Sequence, residues 1–80
     1  MKRDYHINFD WQQMKFIGID YKTDIMPWES LYPEIDIIQE LKNMAIWLDK
    51  NRENGKSKKK NWRKFITGWL SRAQQKAVGL

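Results

Sequence analysis

The chain has 80 residues, 31% of them charged, and a formal net charge of +5. That length suits one small domain with a modest core, and the absence of cysteine excludes a disulfide framework or thiolate metal site. The single histidine, His6, excludes a multi-histidine metal site, and no apolar run approaches the ~20 residues that a membrane span needs.

The N-terminus, "MKRDYHINFDWQ", lacks the apolar core of a signal peptide. The expected compartment is therefore the cytoplasm. From Tyr5 to Asp20 the chain carries two apolar clusters, Ile7/Phe9 and Phe16/Ile17/Ile19, separated by polar "DWQQ". Their β-branched and aromatic residues predict two short strands and a turn, or an extended arm packed on helices. "TDIMPWESLYP" (Thr23–Pro33) predicts a short helix. Pro27 suits its first position, and Pro33 stops it. Trp28, Leu31 and Tyr32 are expected on one side.

The first long helix is predicted within Glu34–Asn51. Asp36 serves as N-cap, and Gln39 three residues later completes a capping-box pair. Ile37, Leu41, Met44, Ala45 and Leu48 recur at helical spacing, widened by Ile38 and Trp47. Residues 52–60, "RENGKSKKK", read as a basic linker. The second long helix is predicted over Asn61–Ala77, capped by Asn61, with an apolar stripe of Trp62, Phe65, Ile66, Trp69, Leu70, Ala73 and Ala77. Gly68 is costly inside that helix by about 1 kcal/mol, which suggests that another element approaches it closely. The expected fold is mainly α: one domain over 1–80, with two longer helices as an αα-hairpin and one short helix. An N-terminal arm or β-hairpin (1–22) covers the open side.

No catalytic constellation is legible. One histidine and no cysteine exclude the usual nucleophile–base sets. Gly18, Gly55, Gly68 and Gly79 are isolated, so there is no glycine-rich phosphate loop. Asp20, Asp24, Glu29, Glu34, Asp36 and Glu40 read as solvated surface, caps and charge balance rather than as a metal cluster. The chain is expected to be no enzyme and to need no cofactor.

Charge is divided unevenly. Residues 1–40 hold four Lys/Arg against eight Asp/Glu, a net −4, whereas residues 41–80 hold eleven against two, a net +9. Such a focused positive half points to an acidic partner, nucleic acid first. Lys58, Lys59 and Lys60 precede Asn61, and Arg63 and Lys64 lie just inside the helix. A helix N-terminus carries partial positive charge, so cations there oppose stability. The helix after Asp36 begins with acids instead. This contrast favours an anion-binding site over a merely soluble linker. Arg63, Arg72 and Lys76 fall off the apolar stripe and extend the basic surface. Trp62, Phe65 and Trp69 share the core face. Trp11, Trp28 and Trp47 are less committed, and an exposed one is expected to stack on a base.

"FIGI" (Phe16–Ile19), "LYPEIDI" (Leu31–Ile37), "ELKNMAIWLDKN" (Glu40–Asn51) and "KKKNWRKFITGWLSRAQ" (Lys58–Gln74) occur in this order. Together they resemble the C-terminal module of phage and prophage replication proteins, and in outline the C-terminal region of DnaT-like primosomal proteins. The likeness spans about residues 9–75. Two departures are the linker sequence "RENGK", where the family often has Asn-Pro, and Gly68, where a polar residue is common.

The resemblance implies a role in phage DNA replication. The module would touch single-stranded DNA or engage the host replicative helicase or its loader. Lys59, Lys60, Asn61, Trp62, Arg63 and Arg72 match the family's basic-aromatic motif. Lys58, Lys59, Lys60, Arg63, Lys64 and Arg72 would meet phosphates with weak sequence preference. The alternatives are a small phage protein that inhibits or redirects a host replication, restriction or CRISPR component, and a homo-oligomerisation unit. Met1 stands almost at the start of the motifs, as in a stand-alone copy or a piece of a longer protein.

Overall fold

The computed structural model describes residues 7–52 and 61–79. The chain forms a mainly helical domain, with an N-terminal two-stranded antiparallel hairpin followed by one 11-residue helix and two longer helices. The linker residues 53–60, with Lys58, Lys59 and Lys60, lie outside the described residues.

Strands β1 (Asn8–Asp10) and β2 (Lys15–Ile17) pair Asn8 with Ile17, Phe9 with Phe16 and Asp10 with Lys15. The period of two turns Phe9 and Phe16 inward and leaves Asn8, Lys15 and Ile17 exposed. The turn contains no Asn-Gly. Instead, Asp10 Oδ1 accepts from the backbone N–H of Gln12 (3.0 Å) and Gln13 (3.1 Å). Met14 then adopts a φ of 55° to return the chain.

Helix α1 joins a π-wound segment, Tyr21–Ile25, to an α-helical segment, Met26–Leu31. It starts earlier than Thr23, because Asp20 is its N-cap and accepts from Thr23 N at 2.9 Å. Pro27 therefore sits inside the helix rather than at its first position. Proline has no N–H to donate, and its ring crowds the carbonyl four residues back. The wider winding just before it, with Met26 N–H bonded to Tyr21 O, accommodates both defects. The helix stops at Tyr32, before Pro33. Trp28 is buried, but Leu31 is 66% exposed and does not join it.

Helix α2 (Ile37–Lys50) is capped by Asp36, whose Oδ1 accepts from Gln39 N at 3.1 Å. The Gln39 side chain reaches forward to Asn43 (3.1 Å) rather than back to complete the capping box. Helix α3 (Trp62–Ala77) is capped by Asn61, whose Oδ1 accepts from Lys64 N at 3.0 Å.

The core lies between α2 and α3. Met44, Leu48, Ile66 and Leu70 are fully buried there, and each stabilises the fold by ~1.5–3 kcal/mol. Ile7, Phe9, Ile25 and Trp28 close the open side of the αα-hairpin. Two bonds lock the helices at longer range: Trp69 Nε1 donates to Glu40 Oε1 (2.9 Å), and Glu34 N donates to Gln74 Oε1 (3.0 Å). Among the described residues, Gly68 faces no neighbouring element, since an added Cβ would meet only its own helix's Arg72 Nη1 at 3.5 Å. Its expected role as a close-packing point is not what the fold uses.

Candidate nucleic-acid interface

The residues expected to meet a polyanion fall into three groups. Lys58, Lys59 and Lys60 are outside the described residues. Asn61, Trp62 and Arg63 have roles within the fold. Lys64 and Arg72 are exposed on α3.

Asn61 is exposed and holds the first turn of α3 through its side-chain oxygen. Trp62 is 8% exposed. Its ring lies 5.8 Å from Phe9, 5.7 Å from Phe16 and 5.9 Å from Phe65. With Ile66 and Leu70 it forms the i, i+4, i+8 row that faces the core. That aromatic cage leaves no open ring face for a base.

Arg63 is paired with Asp24. Asp24 is 1% exposed, the only buried charged side chain among the described residues. Its second oxygen accepts from Asp20 N at 2.8 Å. The Arg63 guanidinium also lies over the Trp28 ring, 5.7 Å from its centre. A buried carboxylate requires a matched charge, so the acid facing Arg63 comes from within the fold. The expectation that Asp24 is solvated surface is overturned by the same contact. The sequence signal was present: Asp24 lies four residues before Trp28, on the helix face that is buried.

The outer face of α3 is different. Lys64, Arg72 and Lys76 are exposed there, and α3 contains no Asp or Glu. Lys64, Gly68 and Arg72 follow i, i+4, i+8, so the two cations stand about 12 Å apart along the axis at ~1.5 Å per residue. Gly68 between them is half-buried, and the Arg72 Nη1 atom lies 3.5 Å from where its Cβ would stand. Only the flexible end of Arg72 stands over the glycine, so a ligand strand that draws the guanidinium aside can approach the helix there.

None of the five tryptophans is an exposed platform. Trp28 and Trp62 are buried, and Trp11, Trp47 and Trp69 are partly buried. Trp47 packs on Phe65 at 5.9 Å and Trp69 at 6.2 Å. Trp11 meets Phe9 edge-on at 4.8 Å and is covered by Arg52 at 5.4 Å. Aromatic area in so small a chain goes first to the core. The exposed aromatic among the described residues is Tyr21, at 58%. It is a residue that composition did not single out.

Among the described residues, no group of three or more His, Cys, Asp or Glu side chains could hold a metal ion. Nor is any helix there long and apolar enough to cross a membrane. Comparison with known proteins finds no matching family model, no similar curated protein and no similar solved structure.

Proposed function

We propose that this chain is a non-enzymatic DNA-binding module of phage replication that holds the phosphate backbone, with single strands favoured and weak sequence preference. The observation that carries this reading is the outer face of α3, where exposed Lys64 and Arg72 flank Gly68 on a helix with no acidic residue. Lys58, Lys59 and Lys60 continue the same positive run in the sequence just before Asn61. Phosphate neutralisation by such cations produces affinity that falls steeply with salt. The binding surface proposed here excludes Trp62, which is core, and counts Arg63 as a positioning residue at the start of α3. The resemblance to phage replication modules supplies the biological setting, including engagement of a host helicase or loader.

Fluorescence anisotropy with labelled single- and double-stranded oligonucleotides, across a salt series, tests the reading. Micromolar single-strand binding that weakens with salt is the expected result. Replacing Lys58, Lys59 and Lys60 by glutamate should abolish it with the helical circular dichroism unchanged. Retained affinity in that variant would sink the proposal.

A further inference from the structure

Helix α2 carries a second apolar row at the edge of the core, in which Leu41 and Ala45 pack partly against it and Ile38 and Ile46 stay exposed. Ile38, Leu41, Ala45 and Ile46 follow i, i+3, i+7, i+8 beside the buried row of Ile37, Met44 and Leu48. Ile38 is 47% exposed and Ile46 56%. Met26 and Leu31 are exposed as well, but Ile38 and Ile46 belong to one helix row beside adjoining clefts.

That row forms one wall of a cleft of about 380 Å³. Phe16 and Ile19 form the opposite wall, and Tyr21 and Ile25 from the first turn of α1 close one end. A smaller cleft of about 270 Å³ continues along Ala45, Ile46 and Asp49, sharing Met14 and Lys42 with the first. The whole channel follows α2 for about 12 Å from Ile38 to Ile46 at ~1.5 Å per residue. This length fits two to three anchoring side chains of an amphipathic helix lying in a groove. No α3 residue lines it, so it is a surface separate from the proposed DNA face.

The charge at its rim selects the occupant. Lys15 and Lys42 stand in the main cleft, and among the described residues no Asp or Glu lines it. Asp49, which lines the smaller cleft, is paired with Arg52 at 3.5 Å. A second copy of this chain, placed face to face, would bring four lysines together with no acid in the main cleft to balance them. A helix with glutamate or aspartate beside its apolar stripe would instead place carboxylates against Lys15 and Lys42. We infer that the cleft between β2, the first turn of α1 and α2 is a docking groove for an acidic amphipathic helix of a partner protein. Ile38 and Ile46 flank its anchors, and Lys15 and Lys42 set its charge preference.

The test uses two labelled synthetic helices of roughly 15–18 residues, long enough to form in water. One has leucine on one face and glutamate on the other, and its twin has lysine in place of glutamate. The whole chain is titrated with each while amide chemical shifts are followed. The acidic helix should bind at least about tenfold more tightly than its twin and shift the amides of residues 38–46. Ile38→Glu with Ile46→Glu should remove binding, and Lys15→Glu with Lys42→Glu should reverse the preference between the two helices. Both pairs are exposed, so the thermal midpoint should hold. The inference is overturned by failure of the acidic helix to bind, or by equal binding of the lysine twin. It is also overturned if single-stranded DNA shifts the same amides, or if light scattering shows a dimer that Ile38→Glu dissociates.

Discussion

The Arg63 guanidinium closes on the buried Asp24 carboxylate across 39 residues of sequence, tying the start of α3 to the first turn of α1. Trp28, one helical turn beyond Asp24, supplies the ring on which the guanidinium rests. The pair therefore fixes where the basic helix begins relative to the rest of the core.

Removing either partner should destabilise the domain strongly. Arg63→Ala leaves a buried carboxylate unmatched and should cost about 3–5 kcal/mol. Asp24→Ala should cost less than that, because the Arg63 side chain is 27% exposed and retains some hydration. The double variant should cost less than the sum of the two. Urea unfolding of the three variants measures this. Equal, additive losses would show that the two residues do not act as a pair.

Lys64→Glu with Arg72→Glu should leave the unfolding midpoint nearly unchanged, since both side chains are exposed. Single-strand affinity should fall by tenfold or more, and the log–log salt slope should drop by about 1.4 for two lost phosphate contacts. An unchanged slope would remove α3 from the DNA interface.

Gly68→Ala separates folding from binding. The new Cβ meets only Arg72 Nη1 at an ordinary 3.5 Å, so the domain should gain roughly 0.5–1 kcal/mol from helix propensity. If the space beside Gly68 admits a DNA strand, affinity should fall while stability rises. Affinity that is unchanged or improved would show that the glycine has no place in the interface.

Asn61→Ala removes the cap that accepts from Lys64 N. The expected loss is about 1 kcal/mol, with reduced protection of the first-turn amides in hydrogen exchange. Asn61→Asp should restore the cap and add a favourable charge at the helix start. The same aspartate should weaken DNA binding if phosphate approaches this turn.

Local structure was readable because its causes lie within a few residues. Asp36 and Asn61 cap α2 and α3 through groups three residues away, and the stripe Ile37, Met44 and Leu48 announces its own buried face. The two strands were legible as β-branched and aromatic clusters that an extended arm would equally explain, while the hairpin's turn rests on an Asp10 side chain that carries no Asn-Gly signal. Helix α1 was harder to place, because Pro27 resembles a start signal. The π-wound turn that lets it sit inside the helix depends on Asp20 capping further upstream.

The amino-acid sequence by itself determined the helical hairpin, the capping residues and the uneven charge, all of which follow from short-range periodicity and composition. Tertiary structure alone decided which cations remain exposed. Arg63 and Lys64 are neighbours in sequence and alike in charge, yet one meets Asp24 and the other meets solvent. It also decided that Trp11, Trp28 and Trp47, uncommitted in the sequence, are covered, and that Ile38 and Ile46 remain on an open face of α2. Those outcomes depend on which surfaces meet when α1, α2 and α3 pack, and contacts across some forty residues leave no mark in local spacing.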